Sequence, residues 1–411
     1  MKKTCFWGIM VLTLMLCAGC GKEEEEKLKI CVNATKSGIV DSLVEAWQEI
    51  EGGSEVEIIE IVTDSGESEM KISELRTEIM AGKGPDVFLL ECTPPEQEET
   101  HSELFMDLGK AMETGLFLSL DEYIENAKYI NTSTWNQTVL DAGKTEEGQV
   151  VLPLYYRFPV FAYKSSDLPG KEIQDSWETF LASECPALVN VSDSDFIYSF
   201  RKLADYETGN LTFSEEELKS YLEEYRLFRE RIDAESDMQE VPDLIAAGWS
   251  GRDFFTQGVG GALEEEQTYI SIPNRDGGVT AMVTMFAAVN KNTAKAEEAF
   301  SFLDFALSDE VTSGNGFIKD EESYGFNIDL SLGQEAVTVN QKAFEERYCK
   351  NQKVKDAFET LNDRIDCARF YSQLDRDLYE TCYKYRFAHD SQTKDELVEN
   401  MYETMQMKLA E

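Results

Sequence analysis

Residues 82–90 read GKGPDVFLL, a turn containing glycine and proline followed by apolar residues that do not alternate with polar ones. Such a short apolar run is typical of a strand that is buried on both faces. Towards the N-terminus, residues 69–80 carry apolar side chains at helical spacing, and residues 54–62 form a β-rich run. Another such pair precedes them, with a helix over 38–50 and a strand over 28–34. This strand–helix–strand–helix–strand order predicts a parallel α/β sheet.

A second α/β-like set is predicted after this unit. Its strands are expected over residues 149–154, 160–163, 269–272 and 281–289. Its helices are expected near residues 177–181, 195–205, 214–232 and 294–307, and the chain from 341 to its last residue has a helical pattern. Ser214 and Glu217 form a capping-box pattern at the start of one of these helices.

Composition and charge limit the classes of function. The chain has 411 residues, of which 42% are hydrophobic and 11% aromatic, so a packed protein with two lobes is expected. Lys and Arg total 38 against 80 Asp and Glu, which gives a formal net charge of −42. This charge repels nucleic acid and anionic lipid headgroups, and both are excluded as partners. It also disfavours a polyanionic ligand, although one local arginine can override a global charge.

The N-terminus has the pattern of an exported, anchored protein. Two lysines precede an apolar stretch at residues 5–17, whereas a helix needs ~20 residues to cross a bilayer. The stretch ends in LCAGC at residues 16–20, which resembles the lipobox of bacterial lipoproteins. Residues 1–19 are therefore predicted to be a signal peptide, and Cys20 is predicted to carry the lipid. The alternative is an ordinary signal peptide that leaves no lipid.

Residues 20–27 are predicted to be an acidic tether. Four adjacent glutamates repel one another and stay solvated, so this segment connects the lipid to the folded part. We expect the protein at the extracellular face of a bacterial cytoplasmic membrane, held by the lipid on Cys20.

The reactive residue types do not indicate catalysis or metal binding. Six cysteines follow Cys20 without any C-x-x-C spacing, so no metal and no cofactor are predicted, while disulfide pairing stays open. The chain has two histidines and lacks H-E-x-x-H, and GWSG at 248–251 falls short of a nucleophile elbow. We predict that the protein is not an enzyme.

Four segments in chain order resemble the maltose-binding-protein-like solute-binding proteins (family 1) of ABC importers. The first is GKGPDVFLL itself, and the second is GLFLSLDEYI at residues 115–124. The third is VVLPLYYRFPVFAYKSSDLPG at residues 150–170, followed by a W-E-T-F helix start. The fourth begins at Ile272-Pro273 and continues through FAAVNKNTAKAEEAFSFLDFAL at residues 286–307. Together they span nearly the whole processed chain.

The resemblance implies a two-lobed α/β periplasmic-binding-protein-like fold (type II), with the ligand in a cleft between lobes joined by crossover strands. Lobe 1 is expected to comprise residues 28–150 with 280–330, and lobe 2 residues 151–279 with 331–411. It also implies a monomer that captures a small solute, most often a carbohydrate, by hinge closure and delivers it to an ABC permease. Two alternatives are an exported carbohydrate-active hydrolase and a receptor lipoprotein coupled to a sensor kinase.

Two candidate ligand residues lie near the predicted crossover, and a third lies in a segment of small residues further along the chain. Tyr155 and Arg157 end one crossover strand, and strand alternation sends both side chains to one side. A structural role at the hinge is the alternative for both. Trp249 lies between small residues, and its indole could stack on a sugar face, although a core tryptophan is the alternative.

Three further candidates follow strands or precede a turn. Glu91 follows the strand that ends GKGPDVFLL, and its carboxylate could accept sugar hydroxyls unless it is a solvated loop charge. Asn33 ends the first strand, and Arg275 precedes an Asp-Gly-Gly turn. Asp86 is predicted to be structural. Packing is predicted for the tryptophans Trp47, Trp135 and Trp177.

Overall fold

In a computed structural model, the helices and strands can be described for most of the chain. The described residues are 27–62, 66–95, 103–164, 176–184, 188–189, 191–236, 244–249, 267–313, 317–319, 322–324, 336–349 and 351–410. The predicted signal peptide, residues 20–26 of the predicted tether (including Cys20) and Cys185 lie outside them. No helix in the described ranges is long and apolar enough to span a membrane.

The described residues contain sixteen strands, and seven of them form one mixed sheet. In chain order the strands are β1 (Leu28–Asn33), β2 (Val56–Ile61), β3 (Val87–Glu91), β4 (Lys144–Thr145), β5 (Gly148–Gln149), β6 (Val151–Arg157), β7 (Val160–Lys164), β8 (Ala204–Asp205), β9 (Asn210–Leu211), β10 (Leu244–Trp249), β11 (Gln267–Ser271), β12 (Val279–Val289), β13 (Phe317–Lys319), β14 (Glu322–Tyr324), β15 (Val337–Thr338) and β16 (Ile365–Phe370).

Helices cover both the sheet and a second, mainly helical part. In chain order they are α1 (Ser37–Glu51), α2 (Gly66–Met80), α3 (Leu108–Glu113), α4 (Asp121–Glu125), α5 (Gln137–Asp141), α6 (Trp177–Ala182), α7 (Glu215–Ser236), α8 (Ala296–Ala306), α9 (Asp309–Ser313), α10 (Gln341–Tyr348), α11 (Gln352–Asn362), α12 (Gln373–Arg386) and α13 (Ser391–Ala410).

The main sheet has seven strands in the order β15-β6-β12-β3-β1-β2, with β16 pairing to β12. Strands β1, β2 and β3 are parallel, as the opening sequence predicts, whereas β12 runs antiparallel to β3 and β6. Asp86 has the structural role predicted for it. Its carboxylate accepts the Lys29 N–H at 2.8 Å and the Thr293 hydroxyl, which fixes the start of β3 beside β1.

Within the described ranges, the chain crosses three times between this sheet and the rest of the molecule. Strand β6 leads into β7, which lies in a separate three-stranded sheet of order β10-β7-β11. Strand β11 of that small sheet returns to β12 through a turn at residues 272–278. Strand β16 leads into α12. The predicted two-lobed fold joined by crossover strands is confirmed.

Two hydrophobic cores correspond to the two lobes. The first core is formed by the main sheet and helices such as α1, α8 and α11, and the second by helices including α6, α7, α12 and α13. The three tryptophans predicted to pack are 2%, 3% and 5% exposed, and they are Trp47, Trp135 and Trp177. The predicted division of the chain between the lobes stays a prediction.

Two predicted elements are wrong. The sequence predicts a helix over residues 195–205, but a short 3-10 helix covers Ser194–Ser199 and β8 follows it. It also predicts a helical chain from residue 341 onward, but β16 interrupts it. In β16 the exposed Asp366 separates buried Ile365 and Cys367, an alternation that is typical of a strand.

Candidate functional site

The carboxyl ends of β1 and β3 form a polar edge of the main sheet. Adjacent parallel strands end at the same edge, so the residues that terminate them lie close together. The Asn33 side-chain oxygen accepts the backbone N–H of Glu91 at 2.8 Å. Ile61, at the end of β2, lines the same cavity as these two residues. Two of the candidate residues are therefore in direct contact.

The Glu91 carboxylate is held by two residues that follow β1. Lys36 Nζ lies 3.1 Å from one oxygen, and the Thr35 hydroxyl donates to the other at 3.3 Å. Both come from a single 3-10 turn at Ala34–Lys36. The Glu91 side chain keeps 34% of its surface exposed, so it remains able to accept hydrogen bonds from a ligand. Lys36 was not among the candidates, although its position just after a strand could have indicated it.

A groove extends from this edge. It consists of a cavity of about 30 Å³ at Asn33 and Glu91 and a cavity of about 180 Å³ beside α12. The two cavities share Thr93 and Glu103. One wall of the groove is formed by the first lobe, at the ends of β1 and β3. The other wall is formed by the second lobe, at Tyr371 and the start of α12.

Glu103 lies where the two cavities meet. Its carboxylate accepts the Thr93 N–H at 3.1 Å. Burial raises the pKa of Glu103, while the Thr93 hydrogen bonds and the charges of Arg376 and Arg76 partly oppose this rise. A carboxyl group with a raised pKa takes up a proton more readily, and can then donate as well as accept a hydrogen bond.

The opposite wall is built at the junction of β16 and α12. Tyr371 lines the smaller cavity, and its hydroxyl bonds to that of Tyr198 at 2.7 Å. Ser372, which caps α12, and half-buried Arg376 line the larger one. A buried aromatic ring and polar groups thus converge on the groove from the second lobe, a composition common in small-molecule sites.

A third cavity of about 590 Å³ adjoins the groove at Tyr371 and Ser372. It lies between the first-lobe elements α3 and α5 and the second-lobe hairpin β8–β9, with β16 forming part of its wall. Charged side chains of both signs line it. Its acidic lining residues are Asp107, Glu113, Asp141, Glu146, Asp205, Glu207 and Asp366, and its basic ones are Lys144, Arg201, Lys202 and Arg369.

The candidates at the crossover occupy different environments. Tyr155 is 7% exposed in the first core and lines a small cavity with Leu43 and Trp135. Arg157 is half-buried and pairs with Met282 of β12, immediately before the chain crosses to β7. Tyr155 is therefore in a packing environment, while Arg157 lies at the junction of the lobes.

Trp249 is described through its backbone alone. It ends β10 opposite Val160, the first residue of β7. This register places the Trp249 backbone near the same crossover as Arg157. Its side chain lies outside the described part of the structure, so its role as a ligand contact stays a prediction.

Arg275 packs on the second core. Its guanidinium carbon lies 5.7 Å from the centroid of the Phe200 ring and 5.9 Å from that of Tyr221, and a guanidinium nitrogen is 3.9 Å from Glu224 Oε1. These contacts fasten the turn after β11 to α7. None of these three partners lines the groove.

Among the described residues, no group of three or more His, Cys, Asp or Glu side chains is arranged to hold a metal ion. The described cysteines Cys31, Cys92, Cys349, Cys367 and Cys382 are not joined in disulfides. Burial raises the pKa of Cys92, which lines the groove, so its thiol is a poor nucleophile.

Solved structures define the class of the fold. They include an extracellular solute-binding protein of family 1 from Alicyclobacillus acidocaldarius, with 15% identity, a TM-score of 0.58, and coverage of 94% of this chain and 99% of that one. The sugar-binding protein MalE from Xanthomonas citri has 11% identity, a TM-score of 0.59 and coverage of 94% and 98%. An oligogalacturonide-binding protein from Yersinia enterocolitica has 13% identity, a TM-score of 0.58 and coverage of 93% and 99%. At these identities the similarity shows a shared two-lobed fold.

The family follows from the sequence itself. A model described as "Bacterial extracellular solute-binding protein" matches residues 33–313, which is more than half of the chain. The protein therefore belongs to the bacterial extracellular solute-binding protein family, as the sequence motifs indicate. A search of curated proteins finds no significant match.

Proposed function

We propose that this protein captures a carbohydrate in the groove by hinge closure and delivers it to an ABC permease. The observation that carries the proposal is the position of the groove. Polar side chains at the ends of parallel strands in one lobe share a cavity with Tyr371 of the other lobe, and Glu103 and Arg376 line the adjoining cavity. A solute that contacts both walls only when they approach shifts the hinge equilibrium by its binding free energy.

The groove chemistry supports a hydroxyl-rich solute. Glu91 and Glu103 offer carboxyl oxygens to sugar hydroxyls, and Tyr371 offers an aromatic surface. Similar structures include the sugar-binding protein MalE, the oligogalacturonide-binding protein and a protein with mannotriose bound. Arg376 at the groove wall is compatible with an acidic sugar as well, because a guanidinium can form two hydrogen bonds to a carboxylate.

The proposal is tested by calorimetry and thermal shift on the chain from residue 20 with the change Cys20→Ala, which removes the acylated residue. The solutes are maltotriose, mannotriose and digalacturonic acid, compared with spermidine, glycerol 3-phosphate and amino acids. A solute that binds the native state alone stabilises it by about 2.7 kcal/mol at a hundredfold excess over its Kd. We expect stabilisation by an oligosaccharide, which is recovered unchanged. Stabilisation by a non-sugar alone would overturn the carbohydrate assignment, and a cleaved sugar would favour the hydrolase.

Glu91→Gln tests the groove directly. Loss of a charged hydrogen-bond acceptor costs about 1.5–3 kcal/mol, which corresponds to roughly a 10- to 140-fold rise in Kd. Glu403→Gln is the matched control, because Glu403 is exposed on α13 and does not line the groove. Trp249→Ala is expected to raise Kd as well while leaving the melting temperature of the free protein unchanged. Equal Kd values for wild type and Glu91→Gln would remove Glu91 from the site.

The membrane anchor is a separate part of the proposal. We infer that Cys20 is acylated, because the lipobox-like segment and the acidic tether precede the folded lobes. Labelling of intact bacteria with radioactive palmitate should mark the full chain and leave Cys20→Ser unlabelled. Release of the unlipidated variant into the medium or periplasm is the expected companion result, and label retained by Cys20→Ser contradicts the anchor. Purification of the lipidated protein from detergent-solubilised membranes should recover ABC permease subunits with it.

A further inference from the structure

Helix α3 of the first lobe begins against the second lobe. Asp107 caps α3, since its carboxylate accepts the Lys110 N–H at 3.2 Å. Ser372 caps α12 in the other lobe, where it forms a capping box with Asp375. The backbones of Asp107 and Ser372 form an isolated antiparallel bridge. The two helix starts therefore meet at the boundary between the lobes.

Tyr206 of the β8–β9 hairpin closes over this junction. Its ring lies on Gly109, where an added Cβ would come within 2.4 Å of a ring carbon. Its hydroxyl bonds to the side chains of Asp107 and Ser372. Burial and the neighbouring Asp107 carboxylate raise the pKa of Tyr206 well above its ordinary value, so the hydroxyl keeps its proton as a hydrogen-bond donor.

Lys110 makes a third connection between the lobes. Its ammonium group donates to the backbone oxygens of Lys408 and Leu409, at 3.3 Å each. These carbonyls lie in the last turn of α13, where helical carbonyls lack partners and a cation is favourable. Leu409 belongs to the second core, while Leu108 beside Lys110 belongs to the first.

We propose that these contacts form a brace that holds the two lobes at a fixed separation in the absence of solute. The brace consists of Asp107, Gly109 and Lys110 on α3, together with Tyr206, Ser372 and the end of α13. This inference rests on the two-lobed fold and not on the identity of the solute. Its consequence is that the brace sets part of the free energy needed to change the width of the groove.

Two features connect the brace to the hinge motion. Ser372 lines the groove as well as belonging to the brace, so movement of that wall acts on the brace. Next to the brace, the large cavity is lined by Glu113 and Glu146 of the first lobe and by Asp205 and Glu207 of the second lobe. Burial and the charges of Glu207, Glu146 and Asp205 raise the pKa of Glu113. Like charges across this part of the cavity push the lobes apart, Lys202 partly offsets the repulsion, and the brace opposes what remains.

The test measures lobe separation without any ligand. Spin labels are attached through a keto amino acid at the exposed positions 122 in the first lobe and 399 in the second, and electron–electron resonance gives their distance distribution. Gly109→Ala forces the Tyr206 ring away, and Tyr206→Ala removes it. Both should shift or broaden the distribution. The double variant should match Tyr206→Ala alone, because the ring that the new methyl would strike is absent.

The matched control is Gly38→Ala, a helical glycine whose added Cβ meets no atom within 4 Å. It should leave the distribution unchanged.

Unchanged distributions in Gly109→Ala and Tyr206→Ala, with cooperative unfolding preserved, would reject the brace. If Gly109→Ala does not fold, Tyr206→Phe decides, since it keeps the ring and removes the hydroxyl bonds. Its distribution should broaden, and an unchanged one rejects the brace. Because no solute is present, failure here is distinguishable from failure of the carbohydrate proposal.

Discussion

The two cores of this protein are held together in different ways. In the first, main-chain pairing of seven strands fixes the positions of the strand ends, and Asn33 and Glu91 are aligned by that pairing. In the second, contacts between aromatic side chains of packed helices replace an extensive sheet. Trp177 stacks on Phe180 at 5.7 Å between centroids, and Phe180 stacks on Phe228 at 5.5 Å.

This difference explains how each lobe contributes to the groove. The sheet lobe presents polar groups on several neighbouring strand ends, because register holds them there. The helical lobe contributes through a strand–helix junction at Tyr371 and through α12. Stability in the helical lobe should therefore depend more strongly on single large side chains, whereas in the sheet lobe it should depend more on buried polar connections.

Phe196→Ala should give the largest loss of stability. Phe196 is fully buried and packs against the rings of Trp177, Tyr225 and Phe228 at centroid distances of 5.6, 5.0 and 5.1 Å. Truncation of a buried phenylalanine costs about 3–5 kcal/mol. Urea unfolding followed by circular dichroism measures the loss.

Two variants sharpen this result. Phe88→Ala in the first core removes a ring with two aromatic neighbours, Phe105 and Phe117, and should cost less than Phe196→Ala. Phe387→Ala removes a phenylalanine that is 53% exposed, and should change the free energy of unfolding by no more than ~0.5 kcal/mol. Equal losses for Phe88→Ala and Phe196→Ala would contradict the proposed difference between the cores.

Asp304→Ala should strongly destabilise the first lobe. The Asp304 carboxylate accepts three backbone N–H groups, at 2.7 Å from Lys128, 2.9 Å from Tyr129 and 2.7 Å from Ile130. Alanine would leave these donors without their acceptor, and buried donors without a partner cost about 1–3 kcal/mol each. Since part of this loop can regain water, we expect a total loss of about 2–4 kcal/mol.

Asp41→Ala is the control for this prediction, because Asp41 is exposed on α1 in the same lobe. Asp304→Asn should fall between the two, since an amide keeps one acceptor oxygen. Urea unfolding of the three variants under identical conditions provides the comparison. A loss for Asp304→Ala no greater than that for Asp41→Ala would mean that the three hydrogen bonds contribute nothing net.

Sequence periodicity predicted the sheet lobe well because its signals are local. Each strand and helix between residues 28 and 90 has its own apolar pattern, and the turn at residues 82–86 separates the last pair. The three-residue alternation in β16 was missed within a long helical pattern. Its assignment depends on pairing with β12, which is distant in the sequence.

The groove was predicted only in part, because one of its walls depends on strand pairing between distant parts of the sequence. Asn33 and Glu91 end strands, and their meeting follows from parallel pairing. Tyr371 and Arg376 reach the groove because β16 joins the main sheet, a long-range event without a local signal. Glu103 could have been suspected as a carboxylate in an otherwise apolar stretch, ELFM, but the Thr93 contact that places it is tertiary.

The smallest effect is expected at the start of α7 in the helical lobe. Ser214 and Glu217 form the capping box that the sequence predicts, with the Glu217 N–H donating to Ser214 Oγ at 3.3 Å and the Ser214 N–H donating to Glu217 at 2.7 Å. Ser214→Ala should therefore lower the free energy of unfolding by about 1 kcal/mol. Ser220→Ala, at an exposed position inside the same helix, should change it by less than about 0.5 kcal/mol.

The pH dependence of this variant gives a second test. The backbone and side-chain hydrogen bonds from Ser214 lower the pKa of Glu217. A carboxylate whose pKa is lower in the folded state stabilises the fold above its unfolded pKa, and this contribution is lost as the pH falls through the folded value. The difference between wild type and Ser214→Ala should therefore shrink as the pH falls below the ordinary glutamate pKa of about 4.3. A difference that stays constant down to the acid transition would assign the effect to the serine hydroxyl alone, and a loss equal to that of Ser220→Ala would show that α7 does not depend on its cap.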